Sequence, residues 1–390
     1  MTFVVRRGVP LAWRSLTHDR KRFALSIAGI TFATILMFVQ LGFLNAVFDS
    51  QVALLRRLNA DLVITNRSKQ HLGVNEPFGR RRLEQAWAVP GVAAVYPLYI
   101  EGALSLWRNP QTRQLRIIRA IGVDPDDPAL LDTSVEALRA ALREQDSAVI
   151  DIRSKNFFGS RAPGTRTELA GRRIRIIGNF SLGTDFDFDG TVVMSESNFL
   201  KFFPSQQTSD PGLGRVELGL VRIQPGQSAE LVRERLERSL PGDIRVLTKD
   251  QIIEQEIEFW QSSTPIGFIF GLGLAIGFAV GIVICSQILY TEVVDRLPLF
   301  GTLKAIGYTN AYLVRLVAGE ALLLSVVSFI PGTVLAWILY GFLASLVGFE
   351  MFLNAPRILL ILSLTVSMAL MASVVALRKA LTADPAEVFK

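Results

Sequence analysis

Four long charge-free stretches constrain this chain more than any other feature. Phe23–Phe48, Phe259–Thr291, Ala321–Phe349 and Ile358–Leu377 contain no Asp, Glu, Lys or Arg. Each meets the ~20 consecutive residues that a helix needs to cross the hydrocarbon core of a bilayer. A chain patterned in this way is an integral membrane protein, and its functional surfaces must be its loops, its helix seams and whatever lies between the stretches.

The stretches are unevenly spaced. Read as a map, residues 1–22 are a cytoplasmic lead-in, 23–48 the first span and 49–264 a large extracytoplasmic insert. Residues 265–290 are the second span, 291–315 a cytoplasmic loop, 316–349 the third span, 350–357 a short external loop, 358–377 the fourth span and 378–390 a cytoplasmic tail. The sidedness comes from charge. Arg6, Arg7, Arg14, Arg20, Lys21 and Arg22 oppose only Asp19 before the first span, and Arg378 and Lys379 follow the last. The positive-inside rule therefore holds both termini in the cytoplasm, with the insert on the other side of the membrane. A cleaved leader is not expected, since the first apolar run is far longer than a signal-peptide core and no A-x-A-like site follows it.

Val9, Ala12, Trp13 and Leu16 fall at helical spacing, which suits either a helix lying on an anionic leaflet or an ordinary lead-in helix. The insert mixes strand and helix periods. Its ends, Asp49–Asn59 and Lys249–Gln261, read as a two-helix stalk, with Ile253, Ile257 and Trp260 on one face and Glu254, Glu256 and Glu258 largely off it. Between them, strand Ala60–Thr65 and helix Arg80–Ala88 come early, with a hairpin around Asn109-Pro110 from Gly102–Arg108 and Leu115–Val123. Strand Val216–Ile223, helix Ser228–Leu240 and strand Ile244–Leu247 come late. A β-α-β arrangement thus occurs twice, with a strand-rich lobe at about 147–204 inserted between. The expected fold is four transmembrane helices plus a two-lobed α+β extracytoplasmic domain between helices 1 and 2.

Several function classes fall away. The net charge of +6 is gathered at the membrane edges, so nucleic acid is not an expected partner. Cys285, the single cysteine, lies in the second span, which excludes an intrachain disulfide and a Cys-based zinc site. The chain contains no Gly-Lys pair, hence no phosphate-cradling G-x-x-x-x-G-K-[ST] loop. His18 and His71, the two histidines, are assigned to opposite sides of the membrane, which excludes His-based triads and multi-histidine metal sites. No catalytic residue, cofactor or metal site is expected in this chain.

Asp185, Asp187, Asp189, Gly190 and Glu196 do satisfy D-x-D-x-D-G-x5-E, the spacing of a calcium loop. The preceding Arg172–Phe180 alternates as a strand where a calcium loop has a helix, and position nine is Val193; calcium or a plain hairpin turn are the two readings. In the second span, Gly267 and Gly271, then Gly273, Gly277 and Gly281, recur at four-residue intervals. Such spacing lets helices approach closely, as a dimer seam with a second copy of the chain or as packing against another span. Pro331-Gly332 marks an expected kink. Glu320 is the one ionisable residue at the edge of a span, assigned to the headgroup level. With so little charge inside the spans, ion-coupled transport is not expected.

The loop between spans two and three places Leu299, Leu303 and Ile306 on one helical face, with Gly307 positioned to end the turn. Its Phe300-Gly301-Thr302-Leu303-Lys304-Ala305-Ile306-Gly307-Tyr308-Thr309 resembles the I-G-x-L-[RK]-A-[IL]-G-x-[ST] loop of the FtsX-like/MacB-type permeases of ABC systems. The ending Asp384-Pro385-Ala386-Glu387-Val388-Phe389-Lys390 is similar to that family's D-P-x-E-x-[LF]-[RK] tail. Leu182-Gly183-Thr184-Asp185-Phe186 with Asp189-Gly190 and Asn198-Phe199 looks like the DevC branch of exporter subunits. The chain departs from many relatives in having Pro298-Leu299 where they carry Arg-Glu, so any salt bridge made there is absent or replaced.

The resemblance implies a MacB periplasmic core-like insert and a non-catalytic permease subunit. Residues Leu299, Gly301, Leu303, Lys304, Ala305, Ile306 and Gly307 would form a coupling helix seated in a separate cytoplasmic ABC ATPase, with Asp384, Pro385 and Glu387 as the tail motif. ATP would be used by that partner alone. Two permeases would pair with two ATPases and move the extracytoplasmic domains without passing substrate through a membrane channel. A membrane fusion protein and an outer-membrane TolC-type channel are the further partners implied. An FtsX-type regulator of a cell-wall hydrolase and a lipoprotein-releasing permease are the alternatives.

Overall fold

A computed structural model describes residues 20–127, 129–130, 133–204, 214–298, 302, 306–348 and 350–382. The expectations for Val9, Ala12, Trp13 and Leu16 lie outside the described residues. Helix α1 (Arg20–Gln51) is followed by α2 (Ala53–Arg57). The insert then runs β1 (Leu62–Asn66), β2 (Phe78–Gly79), α3 (Arg81–Trp87), β3 (Val92–Glu101), β4 (Leu106–Arg108), β5 (Leu115–Ile117), β6 (Arg119–Val123), α4 (Thr133–Ala137), α5 (Arg139–Leu142) and β7 (Ser147–Asp151). It continues with β8 (Arg166–Leu169), β9 (Arg172–Phe180), β10 (Thr191–Ser195), α6 (Glu196–Phe202), β11 (Arg215–Val216), β12 (Leu218–Ile223), α7 (Ala229–Ser239), β13 (Ile244–Thr248) and α8 (Lys249–Ser262). Helices α9 (Pro265–Asp295), α10 (Asn310–Val347) and α11 (Ala355–Thr382) follow. Helices α1, α9, α10 and α11 are long and apolar enough to span a membrane.

Two compact units result: a helical one, drawn from residues up to Asn45, Ile266–Leu346 and those from Met351 on, and an α/β one, Ala46–Pro265 with Val347–Glu350. The last four residues belong to the second unit because the Gly348 carbonyl accepts from Thr184 Oγ1 at 3.1 Å and Glu350 pairs with Arg153 at 2.6 Å.

The α/β unit is built on an eleven-stranded sheet of order β13-β1-β12-β3-β6-β10-β7-β9-β8-β4-β5. Strand β1 is antiparallel to both β12 and β13, and β12 is antiparallel to β3. So β1 and β3 run one way, β12 and β13 the other, and the order 4-1-3-2 of these four is that of a split β-α-β pair. Everything from β4 to β10 is inserted between the two β-α-β halves. The strand-rich lobe is no separate sheet, however: β6 pairs with β3, and β10, β7, β9 and β8 extend the same ladder.

Alternation along the strands feeds two cores. Leu62 and Ile64 of β1 join Leu83 and Ala86 of α3 and Val232 and Leu236 of α7 on one face. Val63 joins Leu54, Leu55 and Leu58 on the other, with Ile252 of α8, Val135 and Leu142. Because both faces are covered, central strands such as β6, β7 and β10 are buried at every position.

The terminal segments of the insert differ from the expected stalk in one respect. Leu54, Leu55, Leu58 and Ile252 pack onto the sheet as part of its helical cover. The buried face of α8 is Ile252, Glu256 and Trp260, so Glu256 lies on the inner face and Ile253 and Ile257 flank it half-buried. The reason is a four-residue interval joined to full hydrogen bonding of the carboxylate, described below.

In the helical unit, Ile30, Ala33, Met37, Phe38 and Leu41 of α1 pack against Cys285 and Leu289, Leu324 and Tyr340, and Met368 and Ala372 of the other three helices. Thr31 Oγ1 donates to the Ser328 carbonyl at 3.0 Å, and the Tyr340 hydroxyl donates to the Phe38 carbonyl. Such side-chain to backbone bonds hold apolar helices together in lipid, where burial alone gives no preference for protein over acyl chains. Helix α10 is continuous through Pro331.

Candidate functional site

The short loop between α9 and α10 carries the sequence expectation for coupling. Leu299, Gly301, Leu303, Lys304 and Ala305 lie outside the described residues, as do Asp384, Pro385 and Glu387 of the tail. What is described is how the loop is held. The Ile306 N–H donates to the Thr302 carbonyl at 3.1 Å, one helical turn back. Gly307 follows at φ +103°, the left-handed backbone with which glycine ends helices. Ile306 is 71% exposed, so its aliphatic side chain is presented outward.

At the base of this loop lies a charge cluster. Arg296, just past the end of α9, pairs with Glu292 of the same helix at 2.8 Å and with Glu320 of α10 at 2.6 Å. Arg22 of α1 pairs with Asp295. Glu320 is 2% exposed. The Glu320 carboxylate is buried against the arginine that closes α9. A buried carboxylate is tolerated only with a charged or multiply hydrogen-bonded partner. The cluster ties both ends of the loop to one another and to α1. Spacing within α10 gives no sign of it, since Arg296 is 24 residues away; the one available signal was that a lone acid at the edge of an apolar stretch needs a partner.

The glycine series has a defined setting. Cβ atoms built at Gly273, Gly277 and Gly281 would meet Gln40, Leu36 with Met37, and Ala33 with Met368, respectively. These glycines face the first span of their own chain, and Gly281 faces the fourth as well. A Cβ built at Gly271 would meet nothing within 4 Å among the described residues. Along the same helix Phe268, Ile269, Leu272 and Ile276 are exposed, an outer surface suited to lipid or a second copy.

In the α/β unit, the carboxylates of the calcium-like pattern are separately engaged. Asp185 pairs with Arg119, Asp189 with Lys155, and Glu196 with Arg80 while accepting from the Tyr99 hydroxyl at 2.8 Å. Asp185 Oδ1 also accepts from the Asp187 and Phe188 N–H groups at 3.1 and 2.8 Å. Among the described residues no group of three or more His, Cys, Asp or Glu could hold a metal.

The same loop meets α8. The Phe186 ring lies edge-on to Trp260 at 5.4 Å, and His71 stacks on Phe259 at 4.1 Å. Glu256 accepts from the Leu72 N–H at 2.8 Å and from Trp260 Nε1 at 3.0 Å. Burial pushes the Glu256 carboxyl up to about 7 against these two hydrogen bonds, with Asp187 adding to the rise. Asp187 is raised to about 6 by burial and by Asp185, and His71 is lowered by burial and by Lys69. The unfolded chain releases the Glu256 proton near 4.5 and the folded chain only near 7. Between these values the folded state binds more protons, so this joint loses stability as pH rises. Thermal unfolding of the whole protein at about pH 5 and about pH 8 should show a smaller downward shift for Glu256→Gln than for wild type. Equal shifts would refute the buried-carboxyl account.

The MacB-like periplasmic core domain family matches residues 23–239, more than half of the chain, and the C-terminal domain of FtsX-like permeases matches residues 268–385. The chain belongs to the FtsX-like, MacB-type ABC permease family. It is a multi-pass membrane protein of that family with its core domain inserted after the first span. A comparison with curated proteins finds no match. Among solved structures, the inserted domain is similar to the periplasmic region of MacB from Actinobacillus actinomycetemcomitans, 16% identical with a TM-score of 0.35, covering 52% of this chain and 95% of that one. It is also similar to the extracellular domain of the noncanonic ABC-type transporter YknZ from Gram-positive bacteria, 12% identical with a TM-score of 0.32, covering 49% and 100%.

Proposed function

We propose that this permease is the membrane subunit of an ABC exporter of the DevC branch. It would couple ATP hydrolysis on a separate cytoplasmic subunit to movement of its periplasmic domain. In this reading the termini and the loop between α9 and α10 face the cytoplasm, as the flanking arginines favour. The loop seats in the ATPase through Leu299, Leu303 and Ile306, with Lys304 as a charged contact. A second copy of the chain completes the pair, and a membrane fusion protein and a TolC-type outer-membrane channel carry cargo onward.

The observation that carries the reading is the charge cluster at the loop base. A loop that receives force from a partner must pass it to the spans instead of flexing, and the Arg296 guanidinium grips α9 and α10 at that point. Thr184 and Arg153 of the α/β unit in turn hold Gly348 and Glu350, which follow α10 in the chain.

Co-purification from cells expressing the neighbouring genes should recover an ATPase with the wild-type chain. Gly301→Asp with Lys304→Glu should abolish export while the protein still reaches the membrane. An export phenotype unchanged by the double variant, with no ATPase recovered, would sink the proposal.

A further inference from the structure

Where the sheet runs out past β9, one of its faces is left bare by the described residues. The cross-strand register pairs Leu106 with Ile117, Arg108 with Leu115 and Glu168, Glu168 with Arg173, and Arg166 with Arg175. Residues directly opposite in register share a face, so these side chains form a single surface across β5, β4, β8 and β9. The other face of the same strands is core, with Trp107, Leu169 and Ile174 buried. On the bare face Leu106, Leu115 and Ile117 are 40%, 50% and 51% exposed. Strand β5 is the last in the sheet, so its outer edge has no strand partner among the described residues.

Beside the aliphatic strip lies an open groove of about 540 Å³ lined by Arg113, Asp146, Arg166, Glu168, Arg173 and Arg175. Its acids are already engaged. Asp146 pairs with Lys201 at 2.7 Å, and Glu168 serves both Arg108 at 2.7 Å and Arg113 at 3.4 Å. Arg175 pairs with Glu144. The side chains of Arg166 and Arg173 have no hydrogen-bond or ion-pair partner among the described residues, and Arg166 stands directly opposite Arg175. Like charges facing each other across a ladder destabilise it.

We infer that this face docks an extracytoplasmic partner protein through an acidic surface interspersed with aliphatic residues. The chemistry selects that occupant. Carboxylates would neutralise Arg166 and Arg173, while Leu106, Leu115, Ile117 and the open β5 edge call for apolar side chains and a polypeptide backbone. A phosphate or an anionic sugar would use the arginines and leave the strip wet. A second copy packed about a two-fold axis would bring the arginines against themselves. The inference rests on the exporter reading and deepens it, by naming the face that receives the periplasmic partner.

The test uses the full-length permease in detergent with the membrane fusion protein that the exporter reading assigns to it. A photoreactive benzoylphenylalanine replaces Ile117, or Trp87 of α3 as an exposed control. Cross-linking to the fusion protein is expected at position 117 and not at 87. Arg166→Glu with Arg173→Gln should weaken retention of the fusion protein about tenfold. The first substitution puts a carboxylate opposite Arg175, so the double variant should melt no lower than wild type. Retention unchanged by the double variant would overturn the docking face while leaving the exporter reading intact. Failure of the wild type to retain any fusion protein would overturn both. A double variant that loses binding only to heparin or lipopolysaccharide would overturn the protein occupant in favour of a polyanion.

Discussion

Lys69→Met should destabilise the inserted domain by about 3–5 kcal/mol, the usual cost of stranding one member of a buried ion pair. The Lys69 and Glu217 side chains are only 4% and 3% exposed and pair directly. Glu217 Oε1 also accepts from the Glu76 N–H at 3.2 Å, while Oε2 has no partner. Burial raises the Glu217 carboxyl and Lys69 opposes the rise. Without the ammonium, the carboxylate must take up a proton or stay charged in the core. The loss in melting temperature should therefore deepen as pH rises, the sign for an acid whose folded pKa lies above its unfolded one. Lys69→Met with Glu217→Gln should recover most of the loss, because removing both charges removes the desolvation cost as well. A single variant that melts like wild type would show that water reaches the pair.

The second large effect is expected in the helical unit. Arg296→Met removes the guanidinium that two carboxylates share, leaving Glu292 and Glu320 facing each other with side chains 18% and 3% exposed. A cost of about 3–5 kcal/mol follows from the same logic, and under the exporter proposal export should be lost even though the loop's own side chains are intact. Glu320→Gln keeps the shape and removes the buried charge, so Arg296→Met with Glu320→Gln should regain stability in a detergent melt. If the cluster transmits force, the double variant should still fail in export, since the grip on α10 is gone. Recovery of both stability and export would reduce the cluster to a structural role.

The loop residues expected from the sequence to meet the ATPase and the residues that the structure brings together are different sets. Leu299, Leu303 and Ile306 are expected from an aliphatic face that repeats every three to four residues, and Leu299 and Leu303 lie outside the described residues. Arg296 and Glu320 are not expected, because neither belongs to a pattern. Glu256 misled for a related reason. A helical wheel treats an acid as solvent-facing, yet this carboxylate lies between Ile252 and Trp260 and takes its hydrogen bond from Leu72, 184 residues away. The calcium-like pattern shows the converse error. Its spacing is correct, but Arg119, Lys155 and Arg80, contributed by distant strands and turns, claim three of its four acids, Asp185, Asp189 and Glu196. The glycine spacing points to a close approach and cannot name the partner helix, which in the structure is the first span.

The four spans, the large insert after the first and the doubled β-α-β pattern follow from the sequence by itself. Each depends on a property summed along contiguous residues: the transfer of ~20 apolar residues into lipid, or a period of two or of 3.6 in burial. The tertiary structure alone decided which charges meet, that the inserted lobe continues one sheet, and that β4, β5, β8 and β9 leave a basic and aliphatic face uncovered. Those outcomes depend on strand order and register between residues far apart in the chain, and no local periodicity encodes them.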